Sequence, residues 1–170
     1  MSMMRIDTLL QVMKHDHQLF EPANVDQLQR LDQMGMPCDL VYFYSKANGA
    51  MLHRTENEGD LPYNGAFWQW YLLPVDEMQS VLESGWSHTN SPLHQLHASW
   101  YRLIDVQNSD YLCIDLSIQT EARFLDTFHE TLNNVGYNQI VAKSFTELLE
   151  KLVASKETFW LSGETGYGYV

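Results

Sequence analysis

The feature that most constrains this chain is a pair of alternating segments, WYRLIDV over 100–106 and YLCIDL over 111–116, joined by Gln107 to Asp110. Alternation of apolar and polar side chains is the period of a half-buried β-strand. Two such runs with a short polar connection predict an antiparallel hairpin. In its first arm Trp100, Arg102, Ile104 and Val106 would share one face, with Tyr101, Leu103 and Asp105 opposite. In its second arm Leu112, Ile114 and Leu116 would face away from Tyr111, Cys113 and Asp115. ARFLDTF (122–128) reads as a third neighbouring strand. AMLHR (50–54) and the aromatic AFWQWYLL (66–73) read as two more.

Helices frame these strands. Ile6, Leu9, Leu10, Met13 and His17 recur at helical spacing and predict a helix over 3–19, ended by Glu21-Pro22. Asn24 is placed to cap a second helix that turns Val25, Leu28 and Leu31 inward and stops at Gly35. Asp39 would cap a short third helix with Tyr42 and Phe43 as core candidates, and Asn48-Gly49 supplies a turn that tolerates positive φ. Residues 55–65 are polar and turn-rich, hence a surface loop. Pro74 suits the first turn of a helix over 75–84, and the His- and Ser-rich stretch 85–99 reads as a loop. Ser144 and Glu147 spell a capping box, S-F-T-E, opening a helix over 144–154 with Phe145, Leu148, Leu149, Leu152 and Val153 as its apolar stripe. Helices, then mostly consecutive strands, then a helix predict an α+β fold: N-terminal helices, a central antiparallel sheet and a C-terminal helix packed on it. The expected organisation is one domain over 1–155 and an aromatic, Gly-rich, flexible tail over 156–170.

Composition narrows the function. A chain of 170 residues with 45% hydrophobic content can build a core without metal or disulfide staples. Cys38 and Cys113, far apart and each in an apolar setting, suit buried thiols in a reducing compartment. The opening MSMMRIDTLL runs into polar KHDHQ, and no stretch approaches the ~20 apolar residues of a membrane helix. A cytoplasmic protein is the expectation. The net charge is −12, from 22 acidic and 10 basic residues, which argues against a nucleic-acid partner. The charge is concentrated: over 55–122 ten carboxylates stand against Arg102 alone, giving −9. That stretch is either a solvated acidic surface or an electrostatic docking face.

No coherent catalytic set emerges. His15 and His17 are two apart on a helix and do not face each other. His94 and His97 could share a metal only if their segment were helical and a third ligand, such as His88, came near; no CxxC or HExxH spacing occurs. Cys113 sits mid-strand between Leu112 and Ile114, an ordinary place for a buried thiol. His129-Glu130 follows a strand end without an indicated partner. Gly163, Gly166 and Gly168 lack the strand, helix and Lys of a phosphate loop. No catalytic residue, cofactor or metal ligand is therefore assigned.

Four segments, in order, resemble the SMI1/KNR4 family, also called the SUKH superfamily, over about residues 24–155. They are MPCDLVYFYSKANGA, AFWQWYLLPVDEM, WYRLIDVQNSDYLCIDL and RFLDTFHETLNNVGYNQIVAKSFTELLEKL. Departures are Met36 where the family usually has Leu before Pro, and the Gln107 to Asp110 turn where it is often Gly-rich. The resemblance implies an α+β fold without a conserved catalytic set. It also implies a protein-binding role: many bacterial members are immunity proteins that neutralise a cognate toxin, often a nuclease, and eukaryotic members are regulatory interaction proteins. An acidic inhibitor would gain association rate against a basic toxin domain. The residues expected to carry it are Glu56, Glu58 and Asp60 in the 55–65 loop, Asp76 and Glu77 at the next helix start, and Trp86 as an aromatic anchor. A regulatory scaffold on the same fold, or an enzyme using His129, Glu130 or the His88/His94/His97 group, are the alternatives.

Overall fold

A computed structural model describes residues 2–55, 67–106, 109–118, 121–155, 158–161 and 166–170. The chain opens with α1 (Ser2–Asp16), β1 (Gln18–Leu19), α2 (Val25–Met34) and α3 (Cys38–Tyr44). Then come β2 (Ala50–Thr55), β3 (Phe67–Leu72), β4 (Trp100–Asp105), β5 (Tyr111–Asp115), β6 (Arg123–Thr127), β7 (Ile140–Ala142) and α4 (Phe145–Ala154). Among the described residues the strands form one sheet in chain order, β1 to β7, every neighbouring pair antiparallel. The α+β architecture is the expected one, with α4 against the sheet: Phe145 packs its ring 6.3 Å from Phe124 of β6 and 5.3 Å from Phe43 of α3.

Both faces of the sheet are covered. The helices bury Ile6, Leu40, Phe43 and Leu148 against Trp70, Ile104, Leu112, Ile114 and Phe124. The opposite face holds a smaller cluster in which Trp100, Cys113, Leu125 and Ile140 meet Val81, Leu93 and Leu132 from long connections. The β4–β5 hairpin forms as its alternation predicts, with one correction. A register shift between Arg102 and Ile104 breaks the alternation, so Trp100 packs on the second face while Ile104 joins the first.

Local signals place several helix ends. Asn24 Oδ1 accepts from Gln27 N at 2.9 Å while Gln27 Oε1 accepts from Asn24 N at 2.9 Å, and Gly35 closes the helix at φ 77°. Ser144 Oγ accepts from Glu147 N at 3.1 Å, but the return arm reaches one residue further back, with Glu147 Oε2 accepting from Lys143 N at 3.0 Å. Contrary to expectation Asp39 does not cap α3: the N-cap position is held by Pro37 without a side-chain bond, and Asp39 stands inside the first turn. Its Oδ2 accepts from both Thr146 N and Thr146 Oγ1 at 2.9 Å, tying α3 to the start of α4.

Other expectations are corrected. The first helix stops at Asp16; His17 lies beyond it, and its Nδ1 accepts from His53 N at 3.0 Å. Val25 is 68% exposed, because the first residue of α2 lies outside its buried stripe. Tyr44 is buried in place of the half-buried Tyr42, whose hydroxyl reaches Asp7 at 2.9 Å. Cys38 is exposed; only Cys113 is a buried thiol. The helix over 75–84 reduces to a single 3₁₀ turn, Val75–Glu77. Beyond it the chain extends and borders β4, with Ser80 bridged to Tyr101 and Arg102 N donating to Gln79 O at 3.0 Å. Val75, Met78 and Val81 keep the apolar spacing of a helix, but sheet hydrogen bonds claim the backbone. The final residues 166–170 pair with the segment before β7 instead of hanging free: Tyr169 bridges Gln139, and Val170 N donates to Asn138 O at 2.9 Å. No described helix is long and apolar enough to cross a membrane.

Candidate functional site

The acidic stretch does not form one surface. Asp110 and Asp115 are buried, Asp115 against Arg123 and Asp110 against His129. Glu83 turns back on Ser80, whose backbone N–H holds its carboxyl below the usual range. Glu121 lies 3.4 Å from Lys143. Glu56, Glu58 and Asp60 lie outside the described residues.

Asp76, Glu77 and Trp86 converge. The register brings Tyr71 of β3 beside Asp105 of β4, and Asp105 beside Tyr111 of β5, making a row across the sheet. Pro74 turns the chain off β3, so Asp76 and Glu77 rise beside this row while Gln79 takes over the edge of β4. The result is a groove of about 330 Å³ lined by Tyr71, Asp76, Glu77, Gln79, Arg102, Asp105 and Tyr111. Trp86 stands at its border, its ring edge-on to Tyr111 at 5.6 Å.

The groove is internally braced. Tyr71 donates to Glu77 at 2.9 Å; burial, then that bond and the charges of Glu77 and Asp105, push the phenol up to about 12. Burial and Asp105 also raise Tyr111. Arg102 lies over the Tyr111 ring at 4.6 Å and donates to Gln79 Oε1 at 2.8 Å. Asp76 accepts from Gln27 at 2.6 Å and sits 3.9 Å from Arg30. Three carboxylates thus face one groove guanidinium, between two phenol rings whose hydroxyls stay protonated throughout the neutral range. Such a surface suits a cationic, partly apolar side chain of a protein partner better than a reacting substrate.

Nothing in the local sequence marks Tyr71, Asp105 and Tyr111 as residues of one site. Each is legible only as a polar-tipped residue at the end of a paired strand. Their alignment depends on register, which alternation alone leaves open by steps of two.

The alternative catalytic residues fall elsewhere. His129 does have a partner: its Nδ1 lies 2.7 Å from Asp110 Oδ1, where the pair closes the end of the β4–β5 hairpin. Burial, with Asp110 nearby, raises Asp126 to about 6. Burial pushes the Cys113 thiol up to about 12, so it is not a ready nucleophile. His94 and His97 meet on Ser87, each Nδ1 2.7 Å from its Oγ, while His88 is exposed. Among the described residues no group of three His, Cys, Asp or Glu is placed to hold a metal ion.

Residues 22–151 match the SMI1 / KNR4 family (SUKH-1). Over 166 residues the chain is also 26% identical to "Immunity protein YokJ" of Bacillus subtilis (strain 168), covering 92% of this chain and 88% of that protein.

Proposed function

Because the chain belongs to the SMI1/KNR4 (SUKH-1) family, we propose that it is a non-catalytic, immunity-type protein that binds a basic toxin domain and blocks it sterically. The observation that carries this reading is the convergence of Asp76, Glu77 and Trp86 on the Tyr71–Asp105–Tyr111 row. The naming of a relative of nearly equal extent as an immunity protein supports it, and so does the charge of −12, which favours encounter with a basic surface. In this reading Asp76 and Glu77 pair with Lys or Arg of the toxin. Glu56, Glu58 and Asp60 add to the negative charge that draws the toxin in, and Trp86 is the desolvated anchor.

The test is binding kinetics, at several salt concentrations, against any toxin domain whose reading frame adjoins this chain's gene. The double variant Asp76→Lys/Glu77→Lys is expected to slow association about tenfold at low salt and flatten the salt dependence. Glu58→Lys/Asp60→Lys should act in the same direction. Trp86→Ala should act on dissociation, weakening binding by about 2 kcal/mol, or roughly 30-fold. Association rates of both charge-reversed variants equal to the unaltered protein at every salt concentration would remove the electrostatic reading. No binding to the neighbouring toxin, with capture of an unrelated cellular protein, would favour a regulatory scaffold.

A further inference from the structure

Ser87 Oγ lies 2.7 Å from His94 Nδ1 and 2.7 Å from His97 Nδ1. A serine has one hydroxyl proton to give and lone pairs to receive. With both rings neutral, Ser87 donates to one Nδ1 and accepts from the other, whose tautomer carries its proton there. With one ring protonated the same chain of bonds holds, the cationic ring donating to Ser87 and Ser87 donating to the neutral ring. With both rings protonated, both Nδ1 atoms are donors, the hydroxyl proton has no ring acceptor, and two cations share one oxygen. We infer that Ser87, between His94 and His97, is a latch that stays shut with at most one proton on the two rings and opens when both carry one, releasing Trp86 from Tyr111.

The surroundings make the second proton expensive. His97 is fully buried, with its ring 4.9 Å from Trp100 of β4. Burial lowers its pKa below the ordinary 6.5, and the charges of His94 and His88 lower it further, against an opposing effect of the Leu132 backbone; the ring's Nε2 is buried without a hydrogen-bond partner. From the facing turn, His129 engages Asp110 and Glu130 is exposed, so neither supplies a buried counter-charge. A lowered value means the opened segment binds a proton more readily than the latched one. Latched stability is therefore complete above about 6.5 and falls as pH drops below it. The segment's other ties do not titrate in this range. Asn133 donates to Trp86 O at 3.1 Å, His88 N donates to Asn133 Oδ1 at 2.8 Å, and Ser91 Oγ donates to Asn133 O at 2.7 Å.

What release would switch rests on the reading of Trp86 as an anchor; the latch itself does not, and its test needs no partner. Histidine ring resonances and amide exchange over residues 86–94 would be followed by NMR on the free, full-length protein from about pH 7.5 to about pH 5. The expected result is a His97 titration below the ordinary histidine range, with exchange over 86–94, corrected for intrinsic pH dependence, rising about tenfold through it. His94→Asn places a neutral amide near the Nδ1 position and cannot take the second proton; its corrected exchange should stay flat. Ser87→Ala should raise exchange already at neutral pH and leave it insensitive to acid. His88→Asn should keep the acid response. Flat exchange over 86–94 in the unaltered protein, or an undiminished response in His94→Asn, would overturn the latch. A failure here leaves the partner reading standing, and absence of any partner leaves the latch standing.

Discussion

Gly49→Ala is expected to destabilise the fold by at least about 3 kcal/mol. Gly49 has φ 99°, a left-handed conformation that an L side chain rarely adopts. A Cβ there would lie 2.5 Å from the Leu72 carbonyl oxygen, 3.1 Å from Pro74 N and 3.2 Å from Leu73 C, all backbone atoms. Relief would have to come from moving β2 away from the end of β3. That junction is heavily used. Phe20 N donates to Gly49 O at 3.2 Å, Asn48 N to Glu21 O at 2.9 Å, and Val75 N to Asn48 Oδ1 at 3.0 Å. The same few residues therefore set where Pro74 turns and where Asp76 and Glu77 stand. Gly136→Ala is the matched control. Gly136 has φ 83° but nothing within 4 Å of its Cβ position, so it should cost only about 1–2 kcal/mol of backbone strain. Denaturant unfolding of both variants measures the difference; equal losses would contradict the steric account.

Arg123→Met is expected to cost about 3–5 kcal/mol, because it strands a buried carboxylate. Asp115 is fully buried at the end of β5, and Arg123, its register partner at the start of β6, bonds it directly. The other carboxylate oxygen accepts from Ser117 N at 2.8 Å. The guanidinium is imperfectly satisfied in return, since Arg123 Nε is buried without a hydrogen-bond partner. Breaking the pair and replacing it are therefore different experiments. Asp115→Asn/Arg123→Met removes both charges while keeping an oxygen for Ser117 N, and should recover most of the loss. Unfolding free energies of the two single variants and the double variant give the coupling. A double variant as unstable as Arg123→Met alone would mean that packing of the arginine stem, and not the buried charge, sets the cost.

The sequence-level expectations succeeded where a local signal and the tertiary demand coincide. Alternation in 111–116 set Leu112 and Ile114 on the face opposite Cys113, as observed; the helices cover the first of these faces. Asn24 and Ser144 cap the helices they precede, because a cap is a bond between residues three apart. They failed where distant chain competes for the same backbone. The apolar spacing of Val75, Met78 and Val81 is helical, yet the segment from Gln79 hydrogen-bonds to β4. Short strands such as β1 and β7 span too few residues to show a period, and exist because a neighbouring strand offers them partners.

The candidate site divides along the same line. The residue types were legible at once: a run of carboxylates with a single arginine, and aromatics flanking it. So were α2, the hairpin and α4, since periodicity and capping are properties of a few consecutive residues. Which carboxylates meet was not. Asp110 and Asp115 lie in the same acidic stretch as Asp76 and Glu77, but burial and the pairings with His129 and Arg123 withdraw them from the surface. The register of β3, β4 and β5 instead sets Asp105 between Tyr71 and Tyr111, beneath Asp76 and Glu77 and beside Trp86. Local sequence determined α2, the hairpin, α4 and the sign of the charge; strand register and burial, which depend on residues far apart in the chain, decided which of those charges share a groove.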